Sequence, residues 1–255
     1  MQERYTLVPI NPDITLINDH DDATCYLVTG TERAVLIDTA LGDVNLKRLC
    51  AEITNLPVTV LNTHGHGDHV IGNVYFSQAY LHPDDFALHD QCFRWEPAVQ
   101  AMEKYHVKPA ELLPLAVGQI FDLGGGQTLE TVALRGHTAG SVGFLDRKHR
   151  ILFSGDGVIP HIWMQLPEST SIAVLRQTLL QLQAEHGADF DWLLTGHAKA
   201  LEPAEMVDAL LRGCDELLAG KRESDHEYHW FEGVCLQHPC DAGETRSIVF
   251  ENWKL

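Results

Sequence analysis

Two stretches of the chain run through the same succession of local patterns, and this recurrence restricts the fold more than any other feature. In the first, the β-prone runs Ala23 to Thr29 (ATCYLVT) and Ala34 to Ile37 (AVLI) flank the turn Gly30-Thr31-Glu32-Arg33. Asp38 follows, then a loop, a helical pattern from Val44 to Ile53 closed by Pro57, and a buried-type strand, Val58 to Leu61, leading to His64. In the second, Ser141 to Leu145 and Arg150 to Phe153 flank the polar turn Asp146-Arg147-Lys148-His149. Ser154-Gly155 and Asp156 come next, then a helix from Ile172 to Glu185 and a strand, Trp192 to Leu194, ending in Thr195-Gly196-His197. Both copies read strand, turn, strand, Asp, helix, strand, His, with Asp38 matching Asp156 and His64 matching His197. A duplicated ββαβ unit predicts an α/β architecture with polar ligands at the C-terminal ends of strands, where such sheets gather them.

The rest of the chain adds to this frame. At 255 residues, 45% apolar and 21% charged, it is expected to form one globular domain. Residues 83–114 interrupt the repeat with a helical composition. They read either as a helix pair packed on the sheet or as a lid over the site. Residues 203–255 read as a helical and irregular tail, with a helix from Pro203 to Ala219. Gly124-Gly125-Gly126 lacks any phosphate-loop pattern around it and reads as a hairpin turn between Ile120–Leu123 and Thr128–Leu134.

The formal net charge is −18. A surface this acidic repels phosphate backbones and anionic membranes, so neither nucleic acid nor membrane is an expected partner. The N-terminal stretch MQERYTLVPINPDITL lacks a signal-peptide pattern, and no apolar run reaches the ~18 residues of a membrane span, so a cytoplasmic location is expected. The six cysteines form no CxxC pair. Cys235 and Cys240, with His226, His229 and His238, make a weak second metal-site candidate, and a solvated tail is the preferred reading there.

The chemistry concentrates in His64-Gly65-His66-Gly67-Asp68-His69, four potential metal ligands within six residues. Imidazole and carboxylate suit Zn²⁺, Fe²⁺ and Mn²⁺. The intervening glycines let a short loop aim its ligands in several directions.

This run, preceded by Thr63 and followed by Gly72-Asn73, resembles the signature of the metallo-β-lactamase superfamily. Gly136-His137-Thr138-Ala139-Gly140-Ser141 resembles its GHTPGS element, with alanine for proline. Phe153-Ser154-Gly155-Asp156 is similar to F-x-G-D, Thr195-Gly196-His197 to the closing GH, and Val35-Leu36-Ile37-Asp38-Thr39 to the early L-I-D-T strand. The resemblance implies a four-layer αββα sandwich of two similar halves. It implies two divalent metal ions, zinc first, with iron or manganese as alternatives. His64, His66 and His137 would hold one ion, and Asp68, His69 and His197 the other. Asp156 would bridge them, Asp38 would fix the ligand loop through hydrogen bonds, and Asp68 would also act in catalysis. His161 and Trp163, shortly after Asp156, are expected at the pocket mouth. His20, His82, His89, His106, His149, His186, His226, His229 and His238 lack such context and read as surface or structural residues.

The implied activity is metal-dependent hydrolysis of an ester-like bond in a small molecule: a thioester, a lactone or a phosphate ester. Glyoxalase II-type thioesterases and acyl-homoserine lactonases share this ligand set. Two alternatives differ in class. One is a mononuclear iron oxygenase resembling the persulfide dioxygenases, and the other is a non-catalytic metal-binding protein on the same fold. Residues 203–255 offer only Arg212, Lys221, Arg222, Arg246 and Lys254 as fixed cations, which argues against glutathione as a substrate component. The largely apolar run from His161 to Leu166 points to a neutral or moderately apolar acyl group.

Overall fold

The computed structural model describes residues 5–19 and 23–255. Among the described residues the strands form three sheets. The first contains β1 (Thr6–Asn11), β2 (Ile14–Asp19), β3 (Ala23–Thr29), β4 (Ala34–Ile37), β5 (Val58–Leu61), β6 (Gln78–Leu81) and β7 (Glu111–Pro114), in that spatial order. It is antiparallel up to β4 and parallel from there on. The second contains β8 (Ile120–Gly124), β9 (Gln127–Ala133), β10 (Val142–Asp146) and β11 (Ile151–Gly155). After β11 the chain makes β12 (His161–Trp163), which joins the third sheet, and then returns to the second as β13 (Trp192–Thr195) and β14 (Glu202–Pro203).

The helices are α1 (Leu46–Ile53), α2 (Gly67–Val70), α3 (Phe86–Cys92), α4 (Glu96–Tyr105), α5 (Ile172–His186) and α6 (Met206–Leu218). Side-chain alternation along the strands explains the layering, because successive residues of a strand point to opposite faces. On β3, Cys25 and Leu27 pack with Leu46, Leu49 and Cys50 of α1. Tyr26 and Val28, between and beyond them, pack with Leu129, Phe144 and Phe153 of the second sheet. On β11, Leu152 faces Leu175 and Leu179 of α5 and Leu210 of α6, whereas Ile151 and Phe153 face the first sheet. Both faces of each large sheet are therefore buried, and the fold is an αββα sandwich.

The internal repeat is present in the strand pairing. β3 pairs antiparallel with β4, and β4 pairs parallel with β5 across α1. β10 pairs antiparallel with β11, and β11 pairs parallel with β13 across α5. The same three-strand unit thus occurs once in each sheet.

The tail departs from the expected helical and irregular structure. After α6 the chain forms β15 (His226–Trp230), β16 (Gly233–Pro239) and β17 (Ser247–Phe250), an antiparallel meander to which β12 adds in parallel. The strand signal in His226-Glu227-Tyr228-His229-Trp230 is an alternation of polar residues with aromatics. Tyr228 and Trp230 are half-buried while the other three are exposed. The Cys/His candidate also dissolves here. His226 and His229 are exposed, and the thiols of Cys235 and Cys240 turn to the backbone carbonyls of Tyr228 and His238. His238 is buried, with Nδ1 2.6 Å from Asp225 and Nε2 3.2 Å from Glu216 of α6, so it fastens the hairpin to the body. No helix among the described residues is long and apolar enough to cross a membrane.

Phe153 is fully buried between the two large sheets, its ring 5.2 Å from that of Tyr26. Phe153→Ala is expected to destabilise the protein by about 3–5 kcal/mol, seen as a lower urea midpoint with an unchanged slope.

Candidate metal centre

Each ligand loop begins where a strand ends: after β5, β11 and β13 of the repeated units and after β9, the neighbour of β10. Asp38 follows β4 in a left-handed conformation (φ 58°), which a non-glycine residue adopts only at a cost. Its carboxylate accepts hydrogen bonds from the Thr63 N–H (2.8 Å), the Thr63 hydroxyl (2.8 Å) and His69 Nδ1 (3.0 Å). The carbonyl of His69 in turn accepts from the Thr39 N–H at 2.9 Å and the Asn62 amide at 3.0 Å. Asn73 joins the same network through Asn62 and Thr39. Gly72 permits a close approach, since a Cβ there would lie 2.0 Å from the Thr39 carbonyl oxygen. These contacts account for the Gly-Asn pair after the histidine run.

The two halves meet at this loop. Val142 N–H donates to the Thr63 carbonyl at 2.9 Å, and Thr24 N–H to the Gly196 carbonyl at 2.8 Å. Gly196 packs so tightly that a Cβ would fall 2.1 Å from Asp156 Oδ1 and 2.7 Å from His69 Cε1.

The seven residues expected as ligands come together. His64, His66 and His137 form one group, Asp68, His69 and His197 a second, and His64, His69 and Asp156 a third, each with its donor atoms within 4.8 Å of one another. Asp156 lies between the first two. Its Oδ2 is 3.3 Å from His197 Nε2 and 3.7 Å from His137 Nε2, and its Oδ1 is 3.7 Å from His69 Nε2.

Hydrogen bonds on the far side of four rings fix their tautomers. His69 Nδ1 donates to Asp38, and His137 Nδ1 to the Trp163 carbonyl at 2.8 Å. His66 Nε2 donates to Glu168 at 2.7 Å. The Thr63 hydroxyl already donates to Asp38, so it accepts from His64 Nδ1 at 3.0 Å. In the neutral form of each ring the remaining nitrogen carries its lone pair toward the site. Two of these nitrogens, His66 Nδ1 and His137 Nε2, stand 2.9 Å apart, a repulsive arrangement that a shared cation relieves. His64 Nε2, His69 Nε2 and Asp156 Oδ1 are buried without a hydrogen-bond partner. Buried polar atoms normally have one, so these orphaned donors fit a metal-binding role.

The charges divide between the rings. Burial is outweighed by Asp68 and Asp156 at His69 and by Asp156 at His197, so both are raised and give up a proton on binding a metal. Burial, reinforced by the neighbouring His69 and His66, holds His64 well below the usual imidazole range. Burial and the nearby His66 bring His137 down to about 4. Both are thus neutral near pH 7, the form that binds metal. For Asp68, burial is outweighed by His69, and its pKa falls to about 2. Asp156 is likewise held low, burial being outweighed by His197 and His69.

Residues 19–202 match the model of the metallo-beta-lactamase superfamily. The chain belongs to the metallo-beta-lactamase superfamily. It is a hydrolase of that superfamily, and its His/Asp cluster is of the kind typical there. A chicken protein named acyl-coenzyme A thioesterase MBLAC2 is 28% identical over 63% of this chain and 67% of its own length. An uncharacterised protein of Mycobacterium tuberculosis is 30% identical over 52% of this chain and 66% of its own length. Among solved structures, a metallo-beta-lactamase from Erythrobacter litoralis superposes with a TM-score of 0.63 at 16% identity, covering 85% of this chain and 98% of that one. At that identity the likeness speaks for the fold alone.

Several groups that support the metallo-beta-lactamase site carry little or no mark in the sequence. Asp85 is buried at the start of the 83–114 insertion. It accepts from the Gly65 N–H (2.9 Å), the Thr138 hydroxyl (2.6 Å) and the Gly140 N–H (2.8 Å), tying together the loops that carry His66 and His137. Its one signal is position, an acid opening a helix just after a strand. Glu168, isolated in a polar loop, had none. That loop is held by Ser169, whose hydroxyl donates to the His137 carbonyl at 2.7 Å. Beneath it lies buried Lys254, whose Nζ donates to the carbonyls of Pro167 and Ser169.

A cavity of about 720 Å³ opens beside the cluster. His66, Asp68, His137, Asp156 and His197 line one side. His161, Trp163, Leu166 and Glu168, with Trp230, Phe231 and Glu232 of the β15–β16 turn, line the other. Thus His161 and Trp163 reach the pocket as expected. Among the described residues, none of 83–114 lines it. α3 and Asp85 instead back the ligand loop, with Cys92 Sγ donating to the Gly65 carbonyl at 3.4 Å, and the wall comes from the tail. His20 lies outside the described residues.

Asp85→Asn puts an amide donor among three donors and keeps the side chain's size. It is expected to weaken zinc affinity by roughly 10–100-fold, measured by chelator competition. Gly196→Ala, which drives a methyl group into Asp156, is expected to lower zinc affinity at least as much, while Gly243→Ala, whose Cβ would meet its nearest neighbours at 3.5 Å, leaves it unchanged.

Proposed function

We propose that this protein is a dinuclear metallo-hydrolase that cleaves an ester-like bond, foremost a thioester or lactone, in a small molecule. The observation that carries this reading is the convergence of two separate three-residue donor groups with Asp156 between them. His64 Nε2, His66 Nδ1 and His137 Nε2 would hold one divalent ion, and Asp68, His69 Nε2 and His197 Nε2 the other. Zinc is the first choice for this nitrogen-rich set, and iron and manganese also suit it. Bound there, the ions supply Lewis acidity to the electrophile and bring the pKa of a water molecule to about 7.

The chain's own residues do the rest. Asp68 lines the cavity, and its ionised carboxylate accepts a hydrogen bond from the attacking water and so orients it. Water oxygen bonds to the acyl carbon, and the bond from that carbon to sulfur or oxygen breaks. The proton released by the water passes by way of Asp68 to the departing thiolate or alkoxide, so an acid and a thiol or alcohol result. Asp38, Thr63 and Glu168 keep the imidazoles in the required tautomers throughout. The thioester reading is supported by the name of the chicken relative.

Protein purified without added metal is expected to contain about two equivalents of metal per chain by elemental analysis. His197→Ala is expected to lower this to about one, and prolonged chelation to abolish thioester and lactone hydrolysis, with recovery on adding zinc. One equivalent of iron, accompanied by oxygen uptake with a persulfide, would instead establish a mononuclear oxygenase and overturn the proposal.

A further inference from the structure

We infer that the aromatic tip of the β15–β16 hairpin binds the non-reacting part of the substrate, and that this part is an apolar group bearing no negative charge. The inference rests on the hydrolase reading above. Trp163, Trp230 and Phe231 form one continuous wall of the cavity, with ring centroids 5.7 Å apart for Trp163–Trp230, 4.9 Å for Trp230–Phe231 and 6.1 Å for Trp163–Phe231. Phe231 is 80% exposed. A large aromatic left in water at the rim of a concave site is a surface that a ligand covers.

The wall is held in register with the metal ligands. The backbone of Trp163 accepts the His137 Nδ1 hydrogen bond, so one residue contributes both to the wall and to the orientation of a ligand ring. Trp163 lies on β12, which pairs with β17, and β17 pairs with β16 of the hairpin. The contacts of His238 with Asp225 and Glu216 fasten the base of the same hairpin. The aromatic tip is therefore presented from a fixed support.

Charge decides what this wall accepts. Among the described residues no Lys or Arg lines the cavity, whereas Glu168 and Glu232 both do. Three of the five tail cations are engaged elsewhere: Arg222 with Asp225, Arg246 with Asp241, and Lys254 with the carbonyls of the 167–169 loop. A carboxylate or phosphate on the substrate's side group would meet like charge and find no partner in the lining, which is discrimination by repulsion.

Two probe pairs test this. The first is the N-acetylcysteamine thioester of phenylacetate against that of 4-carboxyphenylacetate, compared by kcat/KM. The second is phenylacetamide against 4-carboxyphenylacetamide, compared by calorimetric Kd, which needs no turnover. The neutral member of each pair is expected to be favoured by about tenfold or more, the scale on which apolar pockets discriminate. In Trp230→Ala/Phe231→Ala the KM and Kd of the neutral member are expected to rise about tenfold, and in Glu232→Gln the preference is expected to shrink to within about threefold, with metal content unchanged in both. Equal handling of both members by the unaltered protein, unchanged binding of the neutral member in the double variant, or a preference untouched in Glu232→Gln overturns the inference. If neither thioester is cleaved but the binding preference and its loss are observed, the inference stands and the proposed reaction is what fails.

Discussion

The carboxylate of Asp85 holds the two ligand loops in register, and the rest of the site depends on that. It takes the Gly65 N–H from one half of the molecule and the Thr138 hydroxyl and Gly140 N–H from the other. A metal centre shared between two sheets tolerates little relative movement, since its donor atoms must meet to within a fraction of an ångström. Packing between the sheets is non-directional and cannot set such a position alone. Short hydrogen bonds to a buried charge can, because they are directional and costly to break in a low-dielectric interior.

The same logic recurs around the site at smaller scale. Asp38, Thr63, Glu168 and the Trp163 carbonyl each accept a hydrogen bond from a ring N–H and so turn the other nitrogen inward. The result is a cluster in which lone pairs face one another across 2.9 Å and buried nitrogens have no partner. Such an arrangement is unfavourable for the protein alone and favourable once positive charge lies among the donors. The cost is met by the sandwich on either side, whose strands are buried on both faces.

What could be read from the sequence follows from how local each signal is. The strand–turn–strand–Asp–helix–strand–His succession survives because period-two runs such as Ala23–Thr29, and the stops after them, are local. The ligands were legible because His64, His66, Asp68 and His69 crowd into one loop, and His137, Asp156 and His197 sit in short motifs. Asp85 and Glu168 were not, because each acts through a partner more than 50 positions away that nothing nearby announces. β15 was hidden because its inward residues alternate with His and Glu. The two readings of 83–114 stayed open because helical composition says nothing about which face of the sheet it will meet.

The hairpin that forms this wall, residues 226–239, lies wholly outside residues 19–202, the span by which the chain is assigned to its superfamily. On the inference drawn above, Trp230 and Phe231 carry part of the selectivity outside that span, while Trp163 carries the rest within it. A hairpin tip can be exchanged, lengthened or recharged without replacing any of the seven candidate metal ligands. A protein that shares the matched span but bears a different hairpin there would meet its substrate with a different wall.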